Sequence, residues 1–152
     1  MDPLSRLVAI EEIRSLAIRY CHFRDQLQLD EMADLFEEDA IYEFGELFGG
    51  TVVGRPSIRE EFERSRQIGD GLPFATLHTI STHWVEMLDE QTAEGRCFLT
   101  DFVFGTEENP LKALVIYDDV YAFTNGAWKF RKRTLHAIWP QRNAAVRVLG
   151  KT

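Results

Sequence analysis

Apolar residues along the first stretch of the chain, Leu7, Ile10, Ile13, Leu16, Ala17 and Tyr20, recur at intervals of three and four, with Glu11, Glu12, Arg14 and Arg19 between them. That is the period of one helical face. Asp2-Pro3 gives the helix a start, because aspartate accepts from the free amides of a first turn and proline is tolerated at the first helical position. The helix is predicted to run to about Phe23, with Tyr20 in line with the core residues and Asp25 where the helix gives out. After a loop from Asp25 to Leu29, Asp30 is expected to cap a short helix carrying Met32, Leu35 and Phe36 on one face, ended by Glu37-Glu38-Asp39. Ala40 to Phe44 alternates as a strand does, and Gly45, Gly49, Gly50 and Gly54 mark turns around Thr51-Val52-Val53, its expected hairpin partner. Ser57-Ile58-Arg59-Glu60 reads as a capping box after Arg55-Pro56, which predicts a third helix from Ser57 to about Gln67 with Ile58, Glu61, Phe62 and Ser65 along one side and Gly69-Asp70-Gly71 as its stop.

From Phe74 the pattern changes to long strands, Thr76 to Met87, Thr92 to Phe104, Leu111 to Phe123 and Trp128 to about Trp139. Turn signals separate them at Asp89-Glu90, at Glu107-Glu108-Asn109-Pro110 and at Asn125-Gly126, the last a pair favoured by type I′ hairpins. Helices first and strands afterwards is an α+β order. The expected architecture is a strongly bent antiparallel sheet wrapped around three N-terminal helices, forming a cone with an apolar interior.

The 152 residues suffice for one globular domain, expected to span the whole chain. A net charge of −8, with basic residues scattered except for Lys129 to Arg133, argues against nucleic acid or an anionic membrane as partner. Only two cysteines occur, Cys21 and Cys97, both in apolar surroundings, and no secretory leader or membrane-spanning run is read in the sequence. A reduced, soluble, cytoplasmic protein is expected.

Several pieces of local wording carry a resemblance: Ile13 to Tyr20, then Asp25, then Leu29 to Ala40 with its Leu35-Phe36-x-x-Asp39-Ala40, the Gly54-Arg55-Pro56-Ser57-Ile58 entry to the third helix, Leu77-His78, and Gly126 to Phe130. Together they resemble the SnoaL-like branch of the NTF2-like superfamily, cone-shaped α+β domains that include polyketide cyclases, ketosteroid isomerase, scytalone dehydratase, bile acid 7α-dehydratase and hexachlorocyclohexane dehydrochlorinase. The shell by itself does not define the activity, because it hosts enzymes, binding proteins and subunits alike.

Tyr20 matches the helix-one tyrosine that ketosteroid isomerase uses as an oxyanion donor, and Asp119 falls near the place of its protonated aspartic acid. The isomerase's base is an aspartate where this chain has Phe44, so that machinery is not expected here. The dehydratase and dehydrochlorinase branch pairs an aspartate just after helix one with a histidine at the start of the first long strand, and Asp25 and His78 occupy those places. Those enzymes also bring in a basic residue from the last strand, for which the resemblance offers Arg131 or Arg133. Scytalone dehydratase adds a pair of tyrosines, for which Tyr42 is a candidate.

Physically, an imidazole in a mostly apolar pocket is a useful general base, and a carboxylate on its other nitrogen fixes the tautomer and stabilises the imidazolium. The opposing reading makes Asp25 a turn or cap residue and His78 a core histidine bonded to backbone. Along Thr76 to Met87 one face carries Thr76, His78, Ile80, Thr82 and Trp84 and the other Leu77, Thr79, Ser81, His83 and Val85, and neither is plainly apolar. The third long strand puts Ala113, Val115, Tyr117, Asp119, Tyr121 and Phe123 on one face. If that face is interior, Asp119 must be paired or protonated, with Arg131 or Arg133 as the expected partner. His22, His83 and His136 show no metal-ligand spacing, and neither a phosphate loop nor a nucleophile elbow occurs.

The expectation is a cofactor-independent lyase, of dehydratase or eliminase type, acting on a small, largely apolar cyclic compound. Asp25, His78, Tyr20 and Arg133 are its catalytic candidates, and Tyr42, Phe44, Phe62, Asp119, Tyr117 and Arg131 its substrate contacts. The alternatives are isomerase or cyclase enolisation by the same base, and a non-catalytic ligand-binding or assembly domain. A homo-oligomer, dimer or trimer, is expected because the outer sheet face carries Leu114, Ile116 and Val120.

Overall fold

The computed structural model describes residues 1–45, 49–66, 71–105 and 109–140. Three helices precede and interrupt a six-stranded sheet: α1 (Pro3–Asp25), α2 (Leu29–Ala33), β1 (Phe36–Gly45), β2 (Gly50–Val53), α3 (Arg55–Ser65), β3 (Thr76–Met87), β4 (Thr92–Val103), β5 (Leu111–Thr124) and β6 (Ala127–Trp139). The strand order is β2-β1-β6-β5-β4-β3. The last four strands form the expected meander, but β1 joins β6 in parallel, so the sheet is mixed rather than wholly antiparallel. This follows from chain direction, because β1 arrives from α2 and the third helix must be passed before β3 begins.

Asp2 caps α1, its Oδ1 accepting from the Leu4 and Ser5 amides at 3.0 and 3.1 Å. The helix buries Ala9, Ile13, Leu16, Ala17, Tyr20 and Cys21, whereas Leu7, at the end of the predicted stripe, is exposed. The caps of the other helices differ from expectation. Asp30 lies inside α2, which starts after Gln28, and pairs instead with Arg59 at 2.5 Å. Glu37, Glu38 and Asp39 belong to β1 and not to the end of that helix. The third helix starts at Arg55 behind Gly54, so Ser57 and Glu60 are interior and make no capping box. Proline in the first turn there supplies the preset φ without needing a donor. Its expected end at Gln67 and the stop at Gly69-Asp70 lie outside the described residues, as do Glu107 and Glu108 of one predicted turn. Asn125 and Gly126 turn the β5–β6 hairpin with φ of +53° and +80°, the left-handed pair a type I′ turn requires.

A β-bulge in β3 shapes the interior. Ser81 pairs with Phe98 and the next ladder partner, Trp84, pairs with Arg96, with Thr82 between them at φ +50°. An extra residue shifts every side chain beyond it to the opposite face. Thr76, His78 and Ile80 therefore face inward before the bulge, and His83, Val85 and Met87 after it, with Trp84 exposed. The even face predicted for this strand does not exist as one face, and the mixed character of both sequence faces is the trace of the bulge. Gly95 lies across from it, where a Cβ would meet the Trp84 carbonyl at 2.5 Å, so only glycine fits. A further register shift lies in β6, where Phe130 and Lys132 pair with the adjacent Tyr121 and Val120 and Arg131 is left between them; near the end of β5, Ala122 is buried and Phe123 exposed.

The core fills the space between α1 and the sheet with Ile13, Leu16, Met32, Phe36, Val115, Tyr121 and Phe130. Both cysteines are buried and free, with thiols pushed up to about 12 by burial. The outer sheet face exposes Trp84, Phe98 and Leu114, while Ile116 and Val120 are half-buried. Among the described residues no helix is long and apolar enough to cross a membrane.

Candidate functional site

Asp25 is the last residue of α1 and His78 the third of β3, and the chain is built so that they meet. The Phe74 amide donates to the Asp25 carbonyl at 2.7 Å, tying the entry of β3 to the end of α1. As β3 is an edge of the sheet, its outward amides have no neighbouring strand to pair with. The Asp25 carboxylate takes that place. Its Oδ2 accepts from the His78 main-chain amide at 2.9 Å, and its Oδ1 meets His78 Nδ1 at 2.5 Å and accepts from Thr76 Oγ1 at 3.2 Å. Both groups are withdrawn from solvent, the side chains 10% and 4% exposed for His78 and Asp25. A carboxylate can only accept, so Nδ1 carries the hydrogen and Nε2 is left with its lone pair.

Nε2 faces a narrow cavity of about 110 Å³ whose wall includes Tyr20, Tyr42, Phe44, Phe62, His78 and Tyr117. Three phenols there form a chain. Tyr42 donates to Tyr117 at 3.3 Å, which leaves the Tyr42 oxygen to accept from Tyr20 at 3.0 Å. The Tyr117 hydrogen is then the one still free to enter the cavity, so the donor role expected of Tyr20 passes along the chain to Tyr117. Burial raises the pKa of all three, Tyr42 and Tyr117 well above the ordinary phenol, so they are neutral donors at any physiological pH.

Two of the expected contacts are corrected outright. Arg131 points outward and pairs with Glu37 at 2.9 Å, its side chain half exposed and away from the cavity. Asp119 is buried, but Arg133 Nε and Nη2 take its two oxygens at 2.8 Å each and Tyr121 donates to it at 3.0 Å. It has nothing to offer a substrate. Arg133, expected to reach the substrate, is completely buried behind the aromatic wall, its guanidinium carbon 4.5 Å from the Tyr20 ring, 4.0 Å from Tyr117 and 4.1 Å from Phe130. Its role is to hold the tyrosines from behind by cation–π attraction. Arg133 and not Arg131 is the partner that Asp119 requires.

Four charged groups that sequence reasoning did not single out complete the lining: Arg24, Glu61, Asp101 and Lys112. Arg24 is buried, and its hydrogen bonds go to the Ser65 hydroxyl at 3.1 Å and carbonyl at 3.4 Å, with no carboxylate in ion-pair reach among the described residues. A cation so placed can meet an anionic or strongly polarised oxygen. Asp101 lies opposite His78 in the β3–β4 ladder. An uninterrupted ladder continued from Val85 and Gly95 would put Phe102 there, so the bulge at Thr82 is what brings Asp101 to this place. The mixed faces of β3 are the trace of that bulge in the sequence, but they do not mark the residue at which it falls. Arg24, in contrast, follows the α1 pattern one turn after Tyr20 and was legible as an inward cation.

A larger concavity, about 660 Å³, runs along the outer face of the sheet past Trp84, Arg96, Phe98 and Asp118. Asp118 there is held by Arg96 at 2.6 Å and His136 at 2.9 Å, both acceptor oxygens in use on a surface open to water. The chemistry is concentrated in the smaller, interior cavity. Among the described residues no group of three His, Cys, Asp or Glu side chains is arranged to hold a metal ion.

A mixed, curled six-stranded sheet closing over three helices is an α+β architecture, here with the Asp25–His78 pair beside an interior cavity. The chain belongs to the SnoaL-like domain family, whose model matches residues 5–134. No curated protein matches it in sequence. Among solved structures it is similar to a putative scytalone dehydratase from Novosphingobium aromaticivorans, at 25% identity and a TM-score of 0.76 over 88% of this chain and 86% of that one. An NTF2-like protein with a cystatin-like fold from the same organism superposes with a TM-score of 0.82 at 22% identity, over 98% and 93% of the two chains. A hexachlorocyclohexane dehydrochlorinase, LinA Type2, gives 0.76 at 19% identity, over 91% and 90%.

Proposed function

We propose that this protein is a lyase that removes a carbon-bound proton with His78 and expels a substituent from the neighbouring carbon of a small, largely apolar ring compound. The observation that carries this is the Asp25–His78 pair, with Nδ1 committed to Asp25 at 2.5 Å and Nε2 left facing the cavity. Asp25 holds the tautomer and balances the charge that His78 gains. Tyr117 and Arg24, both in the cavity wall, would take the oxygen of an activating carbonyl as negative charge develops on it. Phe44, Phe62 and Leu99 supply the apolar contact. The likeness to a putative scytalone dehydratase and a dehydrochlorinase supports elimination over other proton transfers.

The test is incubation in D₂O with a panel of small cyclic ketones bearing hydroxyl or halide β to the carbonyl, read by NMR. Elimination products that vanish with His78→Ala support the proposal. Deuterium entering beside the carbonyl without loss of the substituent would replace it with an isomerase or cyclase. Tight binding with neither change would make the domain a binder.

A further inference from the structure

His78 removes a proton in the reading above, but a hydroxyl cannot leave carbon as hydroxide at a useful rate, so some group must protonate it. We propose that Asp101 is that general acid, and that the gap between its Oδ1 and His78 Nε2, 3.5 Å, is the path by which the two groups return to their starting state. The inference rests on His78 being the base.

The geometry singles out Asp101 among the acids of the cavity. Asp25 has both oxygens engaged by His78 and Thr76. Glu61 is paired with Arg64 at 2.6 Å. Asp101 Oδ1, in contrast, is buried and has no hydrogen-bond partner among the described residues. It faces the one ring nitrogen that Asp25 leaves unprotonated. A bare carboxylate oxygen and a bare imidazole lone pair facing each other repel, so the pair is stable with one proton between them, either on Asp101 or on His78. Burial raises the pKa of Asp101, which favours its acid form; the groups facing it are His78 from β3, Lys112 from β5 and Arg24 and Asp25 from α1, of which the first three pull the other way.

The cycle balances. The substrate C–H bond breaks, its proton goes to His78 Nε2, and its electron pair forms the new carbon–carbon double bond. The neighbouring C–O bond breaks as the oxygen takes the Asp101 proton and departs as water. This leaves His78 as imidazolium and Asp101 as carboxylate, and transfer of the Nε2 proton to Asp101 Oδ1 restores both. Because acid and base are cross-strand neighbours on one face of the sheet, both act on the same side of the substrate ring. The elimination is therefore syn.

The experiment compares wild type, Asp101→Asn, Asp101→Glu and His78→Ala on a matched pair of cyclic β-substituted ketones, one losing hydroxyl and one losing chloride, with the protein-free rate subtracted. Chloride leaves without a proton. Asp101→Asn should slow hydroxyl loss by about 10²-fold or more and leave chloride loss within a few-fold of wild type, Asp101→Glu should restore part of the hydroxyl rate, and His78→Ala should abolish both. A substrate deuterated cis to the hydroxyl should lose the label. Equal slowing of both substrates by Asp101→Asn, or retention of the cis label, would overturn the role of Asp101 while His78 remained the base. Full activity of His78→Ala, or a wild type that eliminates neither group, would overturn both.

Discussion

Two half-buried histidines lie on the same strand, five residues apart, and each is linked to an aspartate. His78 meets Asp25 directly, its other nitrogen faces a cavity, and a second carboxylate stands 3.5 Å from that nitrogen. His83 reaches Asp119 only through the Tyr121 hydroxyl, 3.1 Å from its Nε2, and Asp119 is already neutralised by the completely buried Arg133. Burial holds His83 down to about 4, against an Asp119 charge that its Arg133 partner largely cancels. The same residue types thus make a polar core at one end and candidate chemistry at the other. What separates them is the kind of group left over: at His83 every oxygen is in use and the orphan is a donor, Arg133 Nη1, while at His78 an acceptor nitrogen and an orphan oxygen remain.

Removing a charge at the two ends should have opposite consequences. Asp25→Asn keeps the shape of the His78 pair but removes its charge, and should cost turnover about 10³-fold or more while the fold persists. Steady-state rates alongside far-UV circular dichroism check both halves. At the other end, Arg133→Met leaves Asp119 as a buried, unpaired carboxylate, and should cost about 3–5 kcal/mol of stability. Denaturant unfolding would measure it, and the double change Arg133→Met with Asp119→Leu should recover much of the loss, because an uncharged pair has nothing left to solvate. Tyr42→Phe interrupts the phenol chain between the ends and should cost on the order of 1 kcal/mol, with the Tyr20 hydroxyl left seeking a partner.

The smallest expected effect is one of pH. His83 is harder to protonate folded than unfolded, since its value falls from 6.5 to about 4. Between those values the unfolded chain binds more protons, so the His83 contribution is fully present above pH 6.5 and is lost as pH falls toward about 4. Urea midpoints at pH 5 and pH 7 should therefore differ more for wild type than for His83→Gln.

Much of this was legible in the sequence, and the parts that were not share a cause. The limits of the four long strands came within a residue because period and turn residues are local signals, and Asn125-Gly126 turned where its backbone preference requires, whereas β1 begins at Phe36, four residues before the expected Ala40. The third-helix cap misread Ser57 because a capping box and a proline-led start look alike when Arg55-Pro56 precede it. The parallel β1–β6 pairing has no local signal at all. Asp25 and His78 were found as a pair, yet Asp101 was not, because its place depends on one residue inserted at Thr82. Arg131 and Arg133, two residues apart, would share one face of a regular strand, and only the irregularity of β6 at Arg131, where Phe130 and Lys132 pair with the adjacent Tyr121 and Val120, sends one to the surface and the other to Asp119.

In the proposed reaction His78, held by Asp25, takes a proton from the molecule that occupies the cavity. The most direct measurement is deuterium exchange and elimination on a ring ketone by wild type and His78→Ala, with His83→Gln as the matched control at the other end of the cone. His78→Ala should fall to the protein-free rate while His83→Gln keeps turnover within a few-fold of wild type. A His78→Ala protein that folds and retains the wild-type rate would contradict the proposal.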